Sequence, residues 1–376
     1  LDAVEGLVAR RLLQEEGGER YGFNHDKIRE VVYHELSAAR RSLLHRGVAE
    51  VLEEQAGGNP GATASILAYH FERAGESARA HRYWLQAGEH ALATYAPQQA
   101  ARHYERVLAL AEGPAGRVDA YLGLGRAHFA LDDADAAVAD LNQGLRLAKD
   151  EDPRRARMLY LLADVHFSCY ASQTAEAYAR EALAAAETVG DPEIMSQSLS
   201  LLGQAYSSRG DLDAEFDLIG RALGIARESG NRWREGRTLA DRGWLQAQVG
   251  AFAQAAVSAE RALRLLETTE DQAGVAFAWN VLGRAEGGRG HYGAAFAAFQ
   301  RSGEVAGEIE HRFLVAQVPN MLGWLHRQLA GYRSALALDR EGAEMARQWS
   351  KSPPEISALI NVAYDLLNLG DPEQAL

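Results

Sequence analysis

The residues of this chain best suited to chemistry recur at a fixed phase. Trp244, Trp324 and Tyr364 each follow a small residue that returns every 40 positions, and Arg126 and Arg284 hold the same phase. Asn280 and Asn320 share a second phase. Aromatic faces beside guanidinium and amide donors suit a peptide, a carboxylate or a small polar ligand. The competing reading of the aromatics is packing between neighbouring units. Groups for bond-making chemistry do not assemble in the same way. A phosphate-binding loop needs G-x-x-x-x-G-K-[ST], whose backbone N–H groups and lysine hold phosphates. The lysines are Lys27, Lys149 and Lys351, and none follows a suitable glycine. His166 and Cys169 share a helix face, but no third or fourth metal ligand accompanies them, so no metal is expected. No Ser-His-Asp or paired-carboxylate arrangement stands out, and Asp132, Asp133 and Asp135 read as a solvated helix start.

The elements that position these groups follow from the beat itself. Ala163, Gly203, Gly243, Gly283, Gly323 and Ala363 are spaced by 40, and Gly125 precedes the first by 38. Twelve residues after each comes a second small position, held by Ala137, Ala175, Ala255, Ala295, Ala335 and Ala375. A third follows seven later at Gly144, Ala182, Ala222, Ala262, Ser302 and Gly342. Self-similarity at such a period signals a solenoid of stacked units. Each unit reads as two amphipathic helices whose small residues let the backbones approach closely. Gly210, Gly250 and Gly290 end the first helix in the left-handed conformation. Arg242, ahead of the small residue, and Glu215, at the second small position, break the pattern in neighbouring units, where irregularity is expected.

Composition bounds the rest. The 376 residues carry a net charge of −13, which argues against a nucleic-acid or membrane-surface partner. Cys169 is the single cysteine, which precludes an intrachain disulfide and fits a reducing, cytoplasmic setting. No apolar run is long enough to span a bilayer. The chain opens on Leu1 and closes on Leu376 in mid-repeat, which reads as a piece of a larger protein.

The pattern resembles the tetratricopeptide repeat over about 115–376. Against the usual unit of about 34 residues, the longer period adds roughly 9 Å of helix per pair. The resemblance implies an all-α, right-handed α-α superhelix of about six and a half long units. It places Arg126, Phe129, Arg157, Tyr160, Asp164, Phe167, Gln204, Arg237, Trp244, Asn280, Arg284, Asn320, Trp324, Arg327 and Tyr364 on a concave binding face. Residues 60–112 read as three connecting helices outside that register, and Gly57-Gly58-Asn59-Pro60-Gly61 as a linker before them.

The first 55 residues read differently. An amphipathic helix over 2–13 precedes two short extended runs flanking Glu16-Gly17-Gly18-Glu19, which read as a hairpin. Together they form the C-terminal half of a winged-helix domain. Arg10 and Arg11 sit among Asp2 and Glu5, a poor composition for a DNA-reading helix. Next come Phe23-Asn24-His25-Asp26 with Ile28-Arg29-Glu30, Tyr33, Arg40-Arg41 and His45. This order resembles the segment after the nucleotide-binding module of signal-transducing ATPases with numerous domains, the family of a maltotriose-responsive transcription activator. The resemblance implies that His25 contacts the phosphates of ADP in an intact protein. The alternative is a structural histidine at the hairpin-to-helix junction. Asn24 departs from the family, which has Met there.

The expected function is a non-catalytic sensor and autoinhibitory arm of such an ATPase. The ATPase module would lie upstream and supply the ATP and ADP site in cis; this chain itself holds no cofactor. A protein, peptide or small polar ligand would bind the concave face, and the isolated chain would be a monomer. The alternative is a constitutive tetratricopeptide scaffold for protein–protein interaction.

Overall fold

Helix pairs, each closed by a tight turn, account for nearly all of the chain. The computed structural model describes residues 2–10, 12–17, 20–57, 60–169, 171–207, 209–269, 271–349 and 352–375. Leu1, Arg11, Gly58, Asn59, Lys351 and Leu376, and Gly18 and Glu19 of the expected hairpin turn, all named above, lie outside the described residues. Contacts divide the chain into a first unit, Leu1–Leu124, and a second, Gly125–Leu376.

The first unit opens with α1 (Asp2–Ala9) and a two-stranded antiparallel sheet of β1 (Leu13–Gly17) and β2 (Arg20–Phe23). Leu13 pairs with Phe23 and Glu15 with Tyr21, and the register shifts between Glu15 and Gly17. The helix is shorter than the expected 2–13, because Leu13 enters the strand. Then follow α2 (Asp26–Glu35) and α3 (Ala38–Ala56), the latter capped by Ser37, whose hydroxyl accepts from the Arg40 N–H. α4 (Ala64–Ala74), α5 (Ser77–Ala93) and α6 (Pro97–Leu110) are the three helices expected over 60–112. The fully buried Tyr104 ring fills the space left by Gly88, where an added Cβ would meet it at 2.6 Å.

α7 (Pro114–Ala130) runs through the boundary between the units. The second unit continues as α8 (Ala134–Leu147), α9 (Pro153–Ser168), α10 (Ser172–Val189), α11 (Pro192–Ser207), α12 (Leu212–Glu228), α13 (Arg232–Gln248) and α14 (Phe252–Leu266). It ends with α15 (Gln272–Gly288), α16 (Tyr292–Glu308), α17 (Arg312–Gln328), α18 (Tyr332–Gln348) and α19 (Ser352–Asn368). This is a tetratricopeptide-like α-α superhelix in which each first helix packs on its second.

A volume exchange inside four of the pairs accounts for their glycines, whereas Gly243, with only Ala259 sixteen positions on, faces Val281 of the next pair, which an added Cβ would meet at 3.0 Å. In those four pairs the residue 16 positions after the glycine, on the second helix, occupies the room the glycine leaves. A Cβ on Gly125 would meet Leu141 at 2.6 Å, one on Gly203 would touch Ile219 at 3.4 Å, and one on Gly283 would strike Phe299 at 2.7 Å. On Gly323 it would meet the carboxylate of Asp339 at 2.9 Å. Glu215, which replaces alanine, is 2% exposed and lies against the same gap beside Gly203. The α11–α12 pair forms despite it; burial raises the Glu215 pKa, opposed by a hydrogen bond from Ser207.

The turn that follows reuses one backbone conformation. Gly210, Gly250, Gly290 and Gly370 have φ of 81°, 80°, 81° and 82°, and Ala330 holds the same position at φ 57°. A Cβ in that region costs about 1–2 kcal/mol. Ala330→Gly should therefore raise stability by about 1 kcal/mol in urea unfolding, and a loss of stability would contradict this account of the turn. Gly283→Val should lower stability by about 1–3 kcal/mol, because the Phe299 ring is fully buried and has no open space to move into. An unchanged unfolding midpoint for that variant would show that the helix pair tolerates wider spacing.

Candidate functional site

The first helices form the inner layer of the second unit. α9, α11, α13, α15 and α17 each touch the first helix of the next pair, the last of these contacts being with α19. The second helices make no comparable contact with one another among the described residues, so the first helices line the inside of the curve. Along this layer Asp164, Gln204, Trp244, Arg284, Trp324 and Tyr364 form one row, 40 residues apart, each immediately after the beat residue. Tyr364 is exposed and the other five are half-buried. Asn280 and Asn320, one turn earlier on their helices, are buried. The row is thus the solvent edge of the layer.

At its centre three residues anticipated from the sequence come together. The Arg284 guanidinium lies 4.9 Å from the centroid of the Trp244 ring and 6.0 Å from that of Trp324. Both are cation–π distances. Trp244 is also 6.1 Å from Phe277, tilted by 43°. Burial lowers the pKa of Arg284, with no carboxylate opposing it.

A second group lies deeper, between α9 and α15. Arg234, 6% exposed, donates from Nε to Thr238 Oγ1 at 3.1 Å and faces Asp241 at 3.5 Å. Arg237 faces Asp271 at 3.6 Å. The same Asp271 carboxylate accepts from Trp233 Nε1 at 2.7 Å and from the Gly274 N–H at 2.8 Å, so it caps α15 while tying it to α13. Burial pushes Asp164 up to about 6, against the opposing charges of Arg237 and Arg234. Burial likewise raises Tyr160 and Asp241. Tyr160 and Phe167 pack on a core of Ala163, Ala179, Leu201 and Leu202.

Arg327 is placed differently from its neighbours in the sequence reading. Its side chain is 9% exposed and joins Asp339, on the second helix of its own pair, to Asp365 on α19 at 3.2 Å. Asn361 Nδ2 donates to Asn320 Oδ1 at 3.3 Å in the same cluster. Arg126 and Gln204 are half-buried on α7 and α11. Arg157 is exposed, 3.9 Å from Glu193. His25 is exposed at the start of α2 and makes no capping bond with its side chain. His166 stacks on Tyr178 at 5.5 Å, and no group of three metal-ligating residues occurs among the described residues.

Sequence reasoning missed Arg234, Asp241, Trp233, Asp271, Asp339 and Asp365. For Arg234, Asp241, Asp339 and Asp365 the available signal was a charged residue at a position that other units fill with an apolar one. The position of Asp339 holds Phe299 one unit earlier and Ile219 three units earlier.

No protein-family profile matches the chain, and no curated protein sequence does. Solved structures do. A signal transduction ATPase with numerous domains from Pyrococcus horikoshii, carrying a tetratricopeptide-repeat sensor, is 15% identical with a TM-score of 0.62. That alignment covers 99% of this chain and 56% of the other, so the chain spans about half of that protein's length. A Rap protein complexed with Competence and Sporulation Factor is 15% identical with a TM-score of 0.57, covering 90% of this chain and 99% of that one. The apo quorum sensor NprR from B. thuringiensis is 12% identical with a TM-score of 0.56, covering 88% and 96%. The chain shares the tetratricopeptide-type fold of these sensor proteins. Among the described residues, no helix is long and apolar enough to cross a membrane.

The Arg327 cluster gives the site a pH dependence. Burial pushes Asp339 up to about 7, Asp365 adds to the rise, and Arg327 opposes it. An unfolded aspartate titrates near 3.9. The folded pKa is the higher one, so this group's contribution is complete below about pH 4 and is lost as pH rises through about 7. Stability should fall on the order of 1 kcal/mol between pH 6 and 8. Asp339→Asn should flatten that slope in urea titrations, and an unaltered slope would remove Asp339 as its source.

Proposed function

We propose that the chain is the sensing and autoinhibitory part of a multidomain signalling ATPase and is itself non-catalytic. The observation that carries this reading is the half-buried row on the inner helix layer, with Arg284 held between Trp244 and Trp324. Aromatic faces around a guanidinium are recognition chemistry, whereas nothing in the row offers a nucleophile beside a base. The fold shared over 99% of this chain with a signalling ATPase that carries a sensor of this kind supports the same assignment.

In this mechanism residues 1–55 end a winged-helix domain that packs on an upstream ATPase. His25, exposed at the N-terminus of α2, contacts the phosphates of bound ADP there. A protein, peptide or small polar ligand occupies the inner row and shifts the balance between resting and active states. It can do so only by preferring one of them. The chain binds no nucleic acid and no membrane by itself, works in the cytoplasm, and is monomeric in isolation.

The complete reading frame provides the test. It should encode a phosphate-binding loop upstream of Leu1. Removal of 125–376 from the complete protein should raise basal ATP hydrolysis by about tenfold or more, equivalent to about 1.4 kcal/mol of released bias. His25→Ala should weaken ADP retention in the same protein. A reading frame without an ATP-binding module, or hydrolysis indifferent to the deletion, would leave the scaffold alternative.

A further inference from the structure

Five arginines lie buried or half-buried on the first helices from α13 to α17; three have counter-charges, while Arg242 and Arg284 have none among the described residues. Arg234 faces Asp241, Arg237 faces Asp271, and Arg327 joins Asp339 and Asp365. Arg284 makes no ion pair among the described residues; its contacts are the two indole rings. The acidic residue closest to it in sequence, Glu286, is already held by Arg289 and His291, each at 2.6 Å. A partly desolvated cation without a counterion is costly, and a ring quadrupole compensates only part of that cost. The site is therefore electrostatically incomplete.

A second polar group on the same helix is also unsatisfied. Asn280 precedes Arg284 by one turn, is 1% exposed, and neither its Oδ1 nor its Nδ2 has a hydrogen-bond partner among the described residues. Its equivalent one unit later, Asn320, accepts from Asn361. The position equivalent to Asn361 one unit earlier is Met321, which has no donor to offer. An amide with both a free donor and a free acceptor matches a peptide group.

We infer that Arg284 donates to a carboxylate of an extended peptide lying across the inner helix layer. This rests on the reading of the second unit as a sensor. A single guanidinium presents one two-pronged face, which fits the two oxygens of a carboxylate. The dense carboxylates of this layer, in a chain of charge −13, disfavour a dianion such as phosphate. The flanking indoles exclude water from the ion pair and strengthen it. The row continues on both sides through Gln204 and Tyr364, so the ligand is elongated. Neighbouring helices stand about 8–10 Å apart, and an extended chain rises about 3.3 Å per residue, giving about three ligand residues per helix.

Affinity selection with peptide pools tests the assignment on the 1–376 chain. Peptides of roughly eight residues are long enough to cross α13, α15 and α17. One pool has free C-termini but no Asp or Glu. A second is amidated and contains Asp and Glu. A third is amidated and has neither. The first or second pool should be retained about tenfold or more over the third, and which of them is retained separates a terminal from a side-chain carboxylate. Arg284→Gln should erase the preference while keeping or raising the thermal midpoint, because it removes an unpaired cation. Arg284→Lys, which keeps the charge and loses the fork, should weaken the preference without abolishing it. Equal retention of all three pools overturns the carboxylate assignment and leaves the sensor reading intact. Retention of no pool overturns it as well, and the sensor reading then stands or falls on the ATPase deletion. Because the three pools are compared on the unmodified chain, the assignment remains testable even if a variant misfolds.

Discussion

Everything in the second unit depends on how closely two helices of a pair can approach. In four pairs a glycine on the first helix and a larger side chain 16 residues later on the second share one volume, as Gly125 with Leu141 and Gly283 with Phe299 show. Interiors pack at near-crystalline density, so neither residue can grow without the other shrinking. That exchange fixes the spacing within those pairs, and small residues on both helices do so in the others. Fixed spacing brings every first helix onto the next one, and this stacking lines up Asp164, Gln204, Trp244, Arg284, Trp324 and Tyr364 at the edge of the inner layer. The row is a by-product of a packing rule.

The inner layer is also where the protein tolerates charge. Between α9 and α15, arginines face aspartates, and burial raises Asp164 and Asp241 while the guanidinium groups restrain them. Buried charges of this kind contribute little net stability, and losing one partner is expensive. Their effect is to hold the first helices in one arrangement: Asp271 caps α15, bonds Trp233 and faces Arg237, so three constraints converge on a single carboxylate. Arg284 departs from this scheme because it has aromatic neighbours and no acid.

The helices and the inner row were legible in the sequence because both depend on spacing. A period survives changes of residue type, so the 40-residue beat located the pairs, and the residue after it located Trp244, Arg284 and Trp324 together. The hairpin was legible from its glycines and flanking apolar residues, although α1 ended four residues early. Contacts that cross between pairs were not legible. Nothing local to Arg327 indicates that its partners are 12 and 38 residues away, in α18 and α19. The orphaned amide of Asn280 was equally hidden, since its lack of a partner depends on the identity of a residue in the following pair.

The Arg327 cluster has a consequence for how the array divides. Between α15 and α17 the corresponding joint is apolar, with Phe299 against Leu325 and Trp324 near Gly287. An apolar joint accepts a neighbour of matching shape, and the cation–π contact that a cut there would lose is the one between Arg284 and the Trp324 ring. The α17–α19 joint belongs to both sides: severing it leaves Asp339 on one piece and Asp365 on the other, with a single arginine to neutralise them. α19 therefore belongs with the α17–α18 pair, and the smallest piece that keeps the Arg327 cluster whole is three helices.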